Sequence, residues 1–192
     1  MNATQFEIAT QEIVKNYWRI KAANALYRSS PFVATDRLVY ANVPTVGVMG
    51  QNFPSETKAE AISALQLYIA QRLPRDLFFA VIAEFEGRIV MRLNSLGEPE
   101  NGTLGALQNR IQGRVSLSQV LIDDLNEIRE RRNAMIHHCD IATAKYADAS
   151  AAVLPRARQF ITAAVEGDNV SPTEIYLTYS ADVLVRYSNS IG

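Results

Sequence analysis

Two histidines stand side by side in this chain, His137 and His138, and Arg129, Arg131 and Arg132 closely precede them. Asn133 lies between the two groups. Imidazole is the side chain best suited to moving a proton near neutral pH. Guanidinium offers a planar fork of donors that matches phosphate and carboxylate oxygens. The run Arg131-Arg132-Asn133-Ala134-Met135-Ile136-His137-His138 therefore has the side chains for proton transfer beside an anionic group.

Other chemistries fit less well. His137, His138, Cys139 and Asp140 all have metal-ligating atoms, but consecutive residues on a helix diverge, and neither an HxxxH nor a CxxC pair is present. No metal site is expected. Nothing in the sequence argues for an activated Cys139 thiolate. No G-x-S-x-G, Walker loop or G-x-G-x-x-G occurs, so no cofactor is expected.

The elements that must position these residues are helical. Phe6, Ile13, Tyr17, Ile20 and Leu26 predict a first helix over about Thr4 to Tyr27. Ser29-Ser30-Pro31 stops it. Phe32 to Pro54, with its valines, prolines and glycines, reads as an irregular insertion or a short hairpin. A second helix spans about Glu56 to Leu73 and is ended by Pro74. A third, from about Arg75 to Leu96, carries a wide apolar arc and should be central. A short helix follows near Thr103 to Gln112. Ser116 or Ser118 can cap a long fourth helix, about Leu117 to His138. Another spans about Ala142 to Val165, bent or broken near Pro155, and the last covers about Thr173 to Tyr187. The expected fold is an all-α antiparallel bundle, one domain over residues 1–192, with an insertion at residues 32–54.

On the helix from Leu117, the residues Leu117, Leu121, Leu125, Ile128, Met135 and Ile136 fall in one arc of roughly 100°. Arg132 falls inside it. A guanidinium on an apolar face needs an anion, because burying it unpaired is costly. Two partners are open: a carboxylate, Glu84 or Glu86 of the central helix, or a phosphate in a groove. Arg129, Asn133 and His137 share another face. Arg132 and His137 are about 140° apart on an ideal helix, so a second element or a second copy of the chain must complete any site.

The run Arg132-Asn133-Ala134-Met135-Ile136-His137 resembles the signature of the HEPN superfamily (higher eukaryotes and prokaryotes nucleotide-binding domain): Arg, often then Asn or another polar residue, three further residues, then His. The apolar run Phe78 to Leu93 around Glu84 and Glu86 is similar to the family's central helix. The resemblance covers about Glu56 to Tyr187. It implies an all-helical bundle and a metal-independent endoribonuclease, of the kind found among toxins and phage-defence effectors. It also implies a homodimer in which two motifs face one cleft, and an antitoxin or other inhibitor protein as a partner. The ribose 2′-OH would attack the adjacent phosphate of an RNA substrate, leaving a 2′,3′-cyclic phosphate. His137 would be the general base or acid, Arg132 would stabilise the phosphorane, and Asn133 would orient one or the other. Arg129, Arg131 and His138 would bind substrate. The alternative is a related module that binds RNA, nucleotide or protein without turnover. Some family toxins carry Tyr two positions after the histidine, as a target for nucleotidylation; here that position is Cys139.

Composition sets the remaining bounds. The formal net charge is −1, which argues against a non-specific duplex DNA binder. Of 19 basic residues most are Arg, a bias that suits phosphate recognition but also follows from base composition. A single cysteine precludes an intrachain disulfide and fits a reducing, cytoplasmic location. Met1 to Thr10 lacks the pattern of a secretory signal, and no apolar run is long enough for a membrane span.

Overall fold

The computed structural model describes residues 1–31, 33, 35, 37–38 and 56–192. The described residues form an all-α bundle. Its helices are α1 Ala3–Arg28, α2 Lys58–Gln71, α3 Leu73–Ser95, α4 Leu104–Gln112, α5 Gln119–His137, α6 Ala144–Ala157 and α7 Glu174–Ser190. Two short strands, β1 Arg37–Leu38 and β2 Glu56–Thr57, pair antiparallel with Arg37 opposite Thr57. The insertion expected over residues 32–54 otherwise lies outside the described residues.

Side-chain caps start most helices. Asn2 and Gln5 make a reciprocal capping box on α1, and Thr57 and Glu60 make another on α2. Thr103, Ser118, Thr143 and Thr173 each accept a backbone N–H in the first turn of α4, α5, α6 and α7. Of the two serines able to cap α5, Ser118 is the one used. Pro74 does more than stop α2. It sits in the first turn of α3, where its missing N–H costs nothing, so the two helices follow each other almost without a loop.

The core lies where α1, α3 and α7 meet, and α5 packs on α7 and α6. Phe85 of α3 contacts Phe6 of α1 at 5.9 Å and Tyr187 of α7 at 5.5 Å between ring centroids. Phe78 meets Tyr176 at 5.8 Å. These geometries are tilted or edge-on, as aromatic quadrupoles favour. The central role expected of α3 is met: Phe78, Val81, Ile82, Phe85, Ile89 and Leu93 are all buried. No described helix is long and apolar enough to cross a membrane.

Two expectations change. The helix expected from Ala142 to Val165 ends at Ala157, two residues after Pro155. Proline removes one hydrogen-bond donor and crowds the preceding turn, and residues 158–169 form no further helix. The buried face of α5 also differs from the apolar arc. Ile136 is 45% exposed, whereas Asp124, Glu127 and Arg131 are buried. Three of the eight buried residues of α5 are charged: Glu127 pairs with Arg131 within the helix, and Asp124 pairs with Arg156 of α6. The guanidinium in the interior is that of Arg131, and Arg132 is only half-buried.

Candidate functional site

The last turns of α5 hold the motif and end on a strained corner. The His138 N–H donates to the Ala134 carbonyl at 2.9 Å, closing the helix. Cys139 and Asp140 then both take left-handed conformations, with φ of 53° and 64°. Non-glycine residues adopt these at a cost, so the corner needs support. Asp140 supplies it. Its carboxylate accepts from Arg75 Nε at 3.2 Å and from Ser171 Oγ at 3.1 Å. Its carbonyl accepts from the Val170 N–H at 2.8 Å, and Ile141 bridges Asn169. The segment around 167–171 thus straps the end of α5 to the first turn of α3.

On one side of this end lies a cleft of about 650 Å³. Arg129, Glu130, Arg132, Asn133, His137 and His138 form its α5 wall. Thr103 to Gly105 at the start of α4, Thr143 to Lys145 at the start of α6, and Glu166 complete it. Two helix N-termini therefore border the cleft, and their partial positive charge favours an anion.

A chain of polar contacts crosses the α5 wall. Arg129 donates to Gln108 Oε1 at 2.9 Å and to Glu130 Oε1 at 3.0 Å. The other oxygen of Glu130 accepts from the Asn133 amide at 3.5 Å. Arg132 reaches Asn133 Oδ1 at 3.4 Å and Glu86 Oε1 at 3.3 Å. Glu86 is thus the carboxylate that Arg132 meets, at a half-exposed rim and not in the core. Arg129 is held short and from two sides, whereas the Arg132 contacts are long and single. A phosphate oxygen would compete more readily for Arg132. His137 and His138 are exposed, and among the described residues neither imidazole makes a hydrogen bond.

The cleft brings together Arg129, Arg132, Asn133, His137 and His138, and it leaves Arg131 out. Arg131 donates to Glu127 Oε1 at 3.1 Å, to the Val170 carbonyl at 2.9 Å and to the Tyr146 hydroxyl, and it lies 3.7 Å from the Tyr176 ring centroid. Glu127 has no exposed surface and also accepts from Tyr146 at 3.1 Å and Tyr176 at 2.7 Å. Burial alone would lower the Arg131 pKa, but the field of Tyr176, Glu127 and Tyr146 reverses this and holds it above its ordinary value. The group stays charged and is fully used in tying α5 to α6 and α7.

Lys145, Glu130, Thr143 and Glu166 also line the cleft, and the sequence gives almost no signal for them. Glu130 has a faint one, since it lies three residues before Asn133 on the same helix. The others arrive only through the packing of α6 on α5. Among the described residues no group of His, Cys, Asp and Glu is arranged to hold a metal ion. No protein-family model, curated protein or solved structure matches the chain.

Proposed function

We propose that this chain is an RNA-cleaving protein of the HEPN type, acting as a toxin or phage-defence effector. The observation that carries this reading is the convergence of Arg132, Asn133 and His137 on one cleft between two helix N-termini. The reaction is transesterification within RNA. The ribose 2′-OH passes its proton to a base and attacks the neighbouring phosphorus. The 5′-oxygen leaves with a proton, giving a 2′,3′-cyclic phosphate and a 5′-OH. DNA lacks the nucleophile and is inert. His137 is the general base or acid, and its exposed imidazole is free to meet substrate. Arg132 exchanges its long contact with Glu86 for the phosphorane oxygens. Asn133 orients the phosphate or the imidazole. Arg129, already clamped by Gln108 and Glu130, holds the cleft wall in place, and Lys145 and His138 contact the flanking backbone.

The described groups of one chain leave the imidazole without an orienting partner. We therefore place the working site in a homodimer whose motifs face each other. A protein inhibitor would act by covering that shared cleft.

The same unpartnered imidazole favours a second reading, in which the cleft binds RNA or nucleotide without turnover. One experiment separates the two. Incubated with RNA in a chelator, the wild-type protein should cleave, and His137→Ala should lower the rate by about 10²–10⁴-fold with helicity unchanged. RNA binding without cleavage by the wild type supports the second reading. Cleavage that survives in His137→Ala excludes His137 as the proton-transfer group.

A further inference from the structure

Arg88 and Arg92 lie one helical turn apart on α3, at the end of the bundle where α3 meets α7. Arg88 is only 3% exposed. Its Nε donates to Ser188 Oγ of α7 at 3.1 Å, but one terminal nitrogen is buried without a partner. Arg92 is half-buried, and its Nε is likewise buried and unpaired. Among the described residues, no carboxylate lies within ion-pair distance of either guanidinium, whereas Arg75, Arg129, Arg131 and Arg132 each have one. Glu84, one turn before Arg88, does not pair with it. Each cation instead faces the charge of the other, and burial together with Arg92 lowers the Arg88 pKa.

More donors sit in the same part of the fold. Tyr187 precedes Ser188 on α7, and its hydroxyl is buried. Burial pushes its pKa up to about 12, so it keeps its proton. The Gln112 amide, at the end of α4, meets that hydroxyl, so these two groups serve each other and not the arginines. Buried donors without acceptors are expensive, and two neighbouring cations without an anion are more so. Arg92 donates to Ser95 Oγ at 3.4 Å, and Gly192 packs against its guanidinium, yet one buried nitrogen of each arginine still lacks an acceptor.

We infer that Arg88, Arg92 and Ser188 form an anion site for a phosphate-class oxyanion, separate from the cleft at His137. A tetrahedral dianion has enough oxygens to accept from both guanidinium forks and from the Ser188 hydroxyl. Arg92 forms the half-exposed rim through which it enters, and Arg88 the buried floor. Bound there, the anion ties α3 to α7.

Thermal unfolding of the whole protein, followed with inorganic phosphate as the probe, tests this. At phosphate about tenfold above its Kd the midpoint should rise by roughly 3 °C over chloride of matched ionic strength. Arg92→Gln, at the half-exposed position, should remove that increment and still fold. Arg88→Met should remove it too, and its own midpoint in chloride should match or exceed that of the wild type, because an unpaired buried charge is gone. A nucleoside monophosphate run in parallel distinguishes the source. An equal rise means the site accepts a phosphate ester, and a rise with inorganic phosphate alone means it takes the free ion. Equal midpoints in phosphate and chloride, or a phosphate increment that persists in Arg92→Gln, would overturn the inference.

Discussion

Neighbouring arginines on α5 have opposite fates, and that difference defines the site. Arg131 is locked with Glu127, Tyr146 and Tyr176 in the interior, while Arg132 stands at the cleft with loose contacts. Their mutants should therefore separate stability from activity. Arg131→Leu leaves Glu127 buried with only hydroxyl partners and should cost about 3–5 kcal/mol in denaturant unfolding. Arg132→Ala should leave the unfolding midpoint nearly unchanged and lower RNA cleavage by about 10²–10³-fold. Equal losses of stability in the two would contradict these assignments. The sequence made the motif legible as a set of residue types, and it named Glu86 as one of two candidate partners for Arg132. It did not make legible which arginine is buried. Neighbours on a helix differ by about 100°, and the buried face of α5 includes Asp124, Glu127 and Arg131, so apolar spacing alone misplaces its edge.

At the scale of the element, the end of α5 depends on groups remote in sequence. Asp140 joins Arg75 of α3 and Ser171 before α7, and so supports two consecutive left-handed residues. Asp140→Ala should cost about 1–2 kcal/mol. It should also speed amide exchange at His138 and Ile141 before the rest of the bundle responds, as hydrogen exchange can show. The helices themselves were readable because their caps and apolar spacing are local. The strap over 167–171 was not, since its hydrogen bonds to Asp140 and Ala142 join segments that nothing local pairs. The tie between α1 and α7 gives a pH prediction. Burial and a hydrogen bond to Glu174 push the Tyr17 pKa up to about 12. Burial does the same for Tyr187. In the unfolded chain tyrosine ionises near 10. The folded state thus holds these protons more tightly, and the stability they give is complete below about pH 10 and lost as pH rises towards 12. Tyr17→Phe should flatten that alkaline decline in stability measured by denaturant titration, and an unchanged slope would remove Tyr17 from the account.

For the whole molecule, the all-α bundle followed from the sequence, and the walls of the cleft did not. The starts of α4 and α6 meet α5 only after the bundle assembles, so Thr103, Lys145 and Glu166 had no local mark. The proposed sharing of a site between two copies makes a quantitative prediction. Arg132→Ala and His137→Ala proteins, each inactive, should regain roughly a quarter of wild-type activity when unfolded together and refolded as a mixture, since half the dimers then hold one intact composite site. No recovery would place each site within a single chain. In the proposed function, His137 and Arg132 cleave RNA through the ribose 2′-OH. The most direct measurement is the chemistry of the ends. RNA treated with the protein in a chelator should carry 2′,3′-cyclic phosphate and 5′-OH termini, and a substrate with 2′-deoxyribose at the cut position should stay intact. Ends with a 5′-phosphate, or cleavage of the deoxy-substituted strand, would contradict it.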